Sequence, residues 1–290
     1  MDPREILTRP APPPDLVLSY GPADEHLADL RLPAPRGSIG PDRGPGAPLV
    51  VLLHGGFWRA AYDRAHAGPL ASALAQAGYA VCVPEYRRTG QTGGGWPGTF
   101  DDVATAVDTL PGLAAAAAAG RIDPSVLLLA GHSAGGHLAL WAASRSRLPA
   151  DSAWHCTASV GGVVALAAVS DLAAGAEQDL GRGAAALLMG GGPDRYPGRY
   201  AQADPARLVP AAAPVRLVHG ELDDIVPSAM SREYAERAVI AGGDVACDVL
   251  PGFGHFEVID PLSGAWSRVL AAFRSLSRPP GPPGSGLPDP

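Results

Sequence analysis

The chain has no lysine: all 22 of its basic residues are arginine. That single absence removes the lysine of a phosphate-binding P-loop and the lysine that forms a Schiff base with a pyridoxal cofactor. Cysteine is scarce. Cys82, Cys156 and Cys247 are widely spaced and make no CxxC pair, which argues against a disulfide framework and a thiolate zinc site and leaves three small buried hydrophobes. Uninterrupted apolar runs of 18 or more residues are missing, and the opening stretch, MDPREILTRPAPPPDL, carries acids and prolines where a signal peptide needs apolar residues. A cytoplasmic protein is expected. The formal charge of -7 is spread without acidic blocks, so the basic footprint of a nucleic-acid or membrane-surface binder is lacking too. The expected partner is a small molecule, and a homodimer stays open.

What is present is ample apolar material. At 290 residues and 47% hydrophobic content, one main domain with a sizeable core is the default. Apolar runs at 49–56, 79–86, 126–133, 160–171, 215–223 and 244–252 show little period-two alternation, as strands buried on both faces of a mainly parallel sheet should. Helical patterns separate them. Leu70 and Leu74 run to a stop at Gly78, and Val103, Val107 and Leu110 follow Thr99, read as an N-cap with Asp102 three residues on. Ser228 opens a segment with Met230, Tyr234 and Ile240; Trp266, Val269, Leu270 and Phe273 mark a last amphipathic helix. This alternation implies an α/β fold, a mainly parallel twisted sheet with helices on both faces and ligands at the carboxyl ends of its strands. Residues 1–48 form a Pro/Gly-rich arm of the same domain, with extended stretches at 16–21 and 26–33 that suit an antiparallel pair at a sheet edge. The main domain is expected over 49–278, a short cap-like insertion over 171–214, and a disordered tail over 279–290.

The segment LLLAGHSAGGHLAL (127–140) sets one serine between glycines at a strand-to-helix corner. Gly131-His132-Ser133-Ala134-Gly135 fits the G-x-S-x-G nucleophile elbow, in which the positions two before and two after the serine must lack bulk. The helix that follows aims its N–H groups and positive dipole end at a developing oxyanion, making the Ala134 N–H a donor candidate. A serine hydroxyl needs an imidazole to take its proton, and the imidazole needs an acid. Only His255, in LPGFGHFEVI, follows the acidic loop GELDDIVP, and Gly252 and Gly254 let its loop turn back towards Ser133. The acid is Glu221, Asp223 or Asp224, and chemistry alone does not choose among them. His219, His132 and His137 read as packing residues. The second oxyanion donor is expected from VLLHGGFWR, at Gly56 and Phe57. Trp58, with Phe57 and Trp96, is a candidate to line the substrate pocket; packing under the loop is the other reading.

HGGFW, GHSAGGHLAL, HGELDDIVP and GFGHFEVI together resemble the four signature segments of the α/β-hydrolase superfamily, nearest the arylformamidase (kynurenine formamidase) and BD-FAE-like esterase branch. The resemblance spans roughly residues 49–275 and implies the α/β-hydrolase fold. In its HGxxDxxVP pattern the acid falls on Asp223, with Val226 and Pro227 in register. It implies a cofactor-independent serine hydrolase acting on a small carboxylic ester or aryl formamide through an acyl-enzyme on Ser133. The rivals are a prolyl-oligopeptidase-type peptidase and a catalytically silent binding protein of the same fold. GGGWPG (93–98) satisfies a dinucleotide-binding string but lacks the strand and helix around it, and His132 and His137 lack HExxH spacing. No cofactor or metal is expected.

Overall fold

The computed structural model describes residues 2–34, 46–118, 120–158 and 160–277; the tail expected at 279–290 lies outside them. The two extended stretches of the arm pair antiparallel as β1 (Leu16–Ser19) and β2 (Leu27–Arg31). Then come β3 (Ala47–Leu53), α1 (Gly68–Gln76), β4 (Ala80–Pro84), α2 (Gly98–Ala117), β5 (Ile122–His132) and α3 (Ala134–Ala143). After β6 (Gly162–Leu166) the insertion contributes α4 (Leu172–Glu177), α5 (Ala184–Met189) and α6 (Pro197–Ala203). The chain continues through β7 (Val215–Gly220), α7 (Ser228–Ile240), β8 (Val245–Leu250) and α8 (Trp266–Leu276). The strands form one sheet in the order β1-β2-β4-β3-β5-β6-β7-β8. From β4 to β8 every pairing is parallel, and β2 joins β4 antiparallel.

The lack of alternation in the strands has a direct cause. Along β3, Leu49, Val51 and Leu53 enter one core while Val50 and Leu52 enter the other, and both are sealed from solvent. Phe100, Val103 and Val107 of α2, Leu138 and Trp141 of α3 and Tyr234 of α7 cover the first face; Leu70 and Leu74 of α1 and Val269 and Phe273 of α8 cover the second. At roughly 25 cal/mol per Å² of apolar surface removed from water, these two layers supply the main driving force for folding. Among the described residues, no helix is long and apolar enough to cross a membrane.

Two features of this order position the site. From β3 the chain moves to β4 on one side, whereas β5 pairs on the other side of β3. The connections after β3 and β5 thus leave towards opposite faces, opening a crevice at the carboxyl ends of these two strands. Second, α3 begins hard against the end of β3. A methyl carbon on Gly135 would lie 2.0 Å from the Leu53 carbonyl oxygen and 2.5 Å from that of His54, and one on Gly131 would lie 2.1 Å from the Gly135 carbonyl oxygen.

The start of α2 differs from the sequence expectation. Thr99 lies inside the helix rather than at its cap, accepting from Gly95 N–H and donating to the Arg87 carbonyl. Asp102 is drawn into a buried tertiary cluster with Arg87 and His26 instead of capping. Long-range ion pairing outcompetes the local cap.

The Gly135 contacts generate a stability test. In Gly135→Ala the added methyl must push α3 off β3, with an expected loss of about 3 kcal/mol and a drop in Tm of roughly 6–12 °C. Thermal unfolding by calorimetry checks it.

Candidate active site

Ser133 occupies the corner between β5 and α3 with φ 55° and ψ -117°, a conformation a non-glycine residue adopts only when its surroundings impose it. Three backbone bonds impose it here. Ser133 N–H donates to the Leu166 carbonyl at 2.8 Å, and the Ser133 carbonyl accepts from His137 and Val169 N–H. The residue is only 2% exposed. Ala134 heads α3, so its N–H has no intrahelical acceptor.

Asp223 and His255 meet at the ends of β7 and β8. His255 Nδ1 lies 2.6 Å from Asp223 Oδ2, so Nδ1–H donates and Nε2 is left as the basic nitrogen. The other carboxylate oxygen, Oδ1, accepts from Ile225 and Val226 N–H at 2.9 and 2.8 Å. Burial alone would raise this carboxyl, but the bonds from His219, His255 and the Val226 N–H outweigh it and hold it well below the ordinary carboxylate range. Asp223 is therefore a permanent anion at neutral pH. Glu221 and Asp224, the other two candidates, are exposed.

The structure brings His255 to the corner at Ser133 through His132. The two rings lie 4.5 Å apart between centroids, and His132 Nε2–H donates to the His255 carbonyl at 3.0 Å. Burial first, and the neighbouring His255 second, push His132 well below its usual value, so it stays neutral. No hydrogen bond joins the Ser133 hydroxyl to His255.

The loop after β3 lies against this corner: a methyl carbon on Gly55 would sit 3.4 Å from Ser133 Cβ. Gly56, Phe57 and Trp58 follow with φ of 106°, 51° and 54°, three successive left-handed residues. Among the described residues, none accepts a hydrogen bond from the Gly56, Phe57 or Ala134 N–H. The strained loop is clamped from behind. His54 Nε2 lies 2.9 Å from Glu85 Oε1, Tyr86 OH donates to the His54 carbonyl at 2.7 Å, and the His54 and Tyr86 rings stack at 4.3 Å. Burial would raise the Glu85 carboxyl, but His54, the Arg64 N–H and Arg88 together hold it below its usual range.

Trp58 does not face solvent. It is 1% exposed, and its indole packs edge-on against His137 at 5.2 Å. Of the two readings of Trp58, packing under the loop is the one this burial fits: the left-handed turn at Phe57 and Trp58 drives the indole into the core. Phe57 is the outward aromatic, and its ring lies against Gly181 of the insertion. The insertion is tied to this core at several points. Arg59 donates to the Gly181 and Arg182 carbonyls, Trp96 N–H to that of Leu188, Trp141 Nε1–H to that of Gln202, and His137 Nε2–H to that of Ala203. Buried Asp204, pushed up to about 6 chiefly by burial and then by Asp171, accepts from the Leu172 and Ala173 N–H groups at the start of α4. Among the described residues, no group of three or more His, Cys, Asp or Glu side chains is arranged to hold a metal ion.

Sequence reasoning missed His132, Glu85 and His219. For His219, which lies 3.0 Å from Asp223, a signal existed: a strand-end histidine four residues before the acid. His132 and Glu85 act through partners 123 and 31 residues away, beyond any local pattern.

The BD-FAE family model matches residues 40–237. Esterase LipQ of Mycobacterium tuberculosis is 30% identical over 244 residues, covering 80% of this chain and 55% of its own. Esterase LipC of the same organism is 28% identical, with 78% and 58% covered. The chain thus spans a little over half the length of these relatives. Among solved structures, esterase B from Lactobacillus rhamnosis superposes with TM-score 0.74 at 19% identity over 94% of this chain and 89% of that one.

Linkage gives the Asp223 contacts a measurable sign. A carboxylate lowered by folding contributes stability that is full above its unfolded value and is lost only as pH falls through its depressed folded value. Asp223→Asn is expected to be less stable than the parent by about 3 kcal/mol at neutral pH. The gap should persist down to about pH 4 and narrow only on further acidification. Urea unfolding across that range measures it.

Proposed function

For a chain that belongs to the BD-FAE family and carries the α/β-hydrolase fold, we propose a cofactor-independent serine hydrolase of small carboxylic esters. The observation that carries this reading is Ser133, forced into a left-handed corner on the rim where Asp223 bonds His255 Nδ1 at 2.6 Å. The Ser133 hydroxyl attacks the ester carbonyl as its proton passes to His255 Nε2, and Asp223 stabilises the resulting imidazolium. The carbonyl oxygen becomes an oxyanion facing the N–H groups of Gly56, Phe57 and Ala134, each such donor contributing about 3 to 4 kcal/mol to the transition state. His255 then protonates the leaving alcohol, leaving an acyl-serine. Water, deprotonated by the same imidazole, attacks the acyl carbonyl, releasing the acid and restoring Ser133.

The names of the relatives support an ester as substrate, since LipQ and LipC are both described as esterases. Aryl formamides enter the proposal through the resemblance of HGGFW to the arylformamidase loop. A formyl group is the smallest acyl group, and an arylamine leaves by the same proton transfer from His255.

A fluorophosphonate probe followed by peptide mass mapping tests the reading. We expect one adduct, on Ser133, and a loss of about 10⁴-fold or more in kcat for p-nitrophenyl acetate in Ser133→Ala. An adduct elsewhere, or none, overturns it. Parallel turnover of aryl formamides and of p-nitrophenyl esters of increasing length then ranks the substrates.

A further inference from the structure

The carboxylate of Asp223 lies between two imidazoles. Oδ2 accepts from His255 Nδ1 at 2.6 Å and lies 3.0 Å from His219 Nε2. The same His219 nitrogen is 2.9 Å from the Val226 carbonyl oxygen. Two acceptors around one ring nitrogen place the proton on it. Nδ1 is then a lone pair, and the Ser231 hydroxyl, 2.7 Å away on α7, donates to it. Both His219 and Ser231 have no exposed surface, so water does not compete for these bonds. One arm, Ser231 to His219 to Asp223, thus mirrors the reactive arm of Asp223 and His255. The mirror arm does not react itself, because its serine is sealed in and its imidazole is already committed at both nitrogens.

We propose that His219, fixed in its tautomer by Ser231, is a positioning residue that locks the Asp223 carboxylate and sets how much negative charge it presents to His255. The inference rests on the serine hydrolase reading above. An N–H bonded to Oδ2 draws charge off the carboxylate. Without it, Asp223 carries more negative charge and stabilises more strongly the imidazolium that forms when His255 takes a proton at Nε2. The titratable groups around Asp223 are His219 on β7, His255 on the loop after β8, His132 at the end of β5 behind His255, and Glu221 and Asp224 on the exposed loop that carries Asp223 itself. Only the first two bond the carboxylate.

The experiment is kcat/KM for p-nitrophenyl acetate against pH in the wild-type protein and in His219→Phe, His219→Gln and Ser231→Ala. His219→Phe is expected to lose about tenfold in kcat at neutral pH with KM little changed, and its acid limb to move up by about half a pH unit or more. His219→Gln restores an N–H within reach of Oδ2 and should bring the limb back towards that of the wild type. Ser231→Ala, which removes only the hydroxyl, should shift it in the same direction by less. An unmoved limb in His219→Phe, or a His219→Gln no better than it, overturns the proposal. If His219→Phe does not fold, a wild-type profile in Ser231→Ala overturns it instead. Fluorophosphonate labelling of the wild-type protein separates the two failures: labelled Ser133 with an unmoved limb sinks this inference alone, whereas an unlabelled Ser133 sinks the hydrolase reading beneath it.

Discussion

The site depends on one close contact, the start of helix α3 against the end of strand β3. Gly135 makes it by leaving no side chain between the helix and the Leu53 and His54 carbonyls. Once that approach is fixed, the chain between β5 and α3 has no room for an ordinary turn, and Ser133 takes the left-handed conformation at a cost of about 1–3 kcal/mol. The two packed faces of the sheet supply far more than this. The same approach brings the loop after β3 beside the serine, at the point where the connections of β3 and β5 diverge.

Two buried carboxylates organise the rest, by the same physical device. Glu85 behind the His54-Gly55-Gly56 loop and Asp223 behind His255 each pair with an imidazole and with backbone N–H groups, instead of forming an isolated ion pair. A buried carboxylate left unpaired would take up a proton and lose its purpose. Each is ionised because every one of its neighbours donates. Rigid placement of the loop and of the imidazole follows from that, because moving either would strand a charge away from water.

The fold was legible because its strands are buried on both faces: an uninterrupted run such as Leu49 to Leu53 has few other homes in a soluble domain. The corner at Ser133 was legible because its steric demand falls on residues two positions away, within a local string. Thr99 and Asp102 misled because a plausible cap was recruited into a cluster with Arg87 and His26, contacts that join segments far apart in the chain. Trp58 stayed open between two readings for a related reason. Composition marks an aromatic beside the loop, but only the backbone twist at Phe57 and Trp58 decides which of the two rings turns inward. Residue chemistry left Glu221, Asp223 and Asp224 equal, because what separates them is which carboxylate the loop folds inward; only the HGxxDxxVP resemblance pointed to Asp223, the one that bonds His255.

The ties between the insertion and the core bear on how freely it can move. Arg59, Trp96 and, from α3, Trp141 and His137 reach its carbonyls from three separate places, and Asp204 staples the first turn of α4 to the segment after α6. A layer nailed down at so many places behaves as masonry and not as a door. Its outline is then fixed relative to the sheet, and outward side chains such as Arg182 and Leu187 can be exchanged without disturbing those ties.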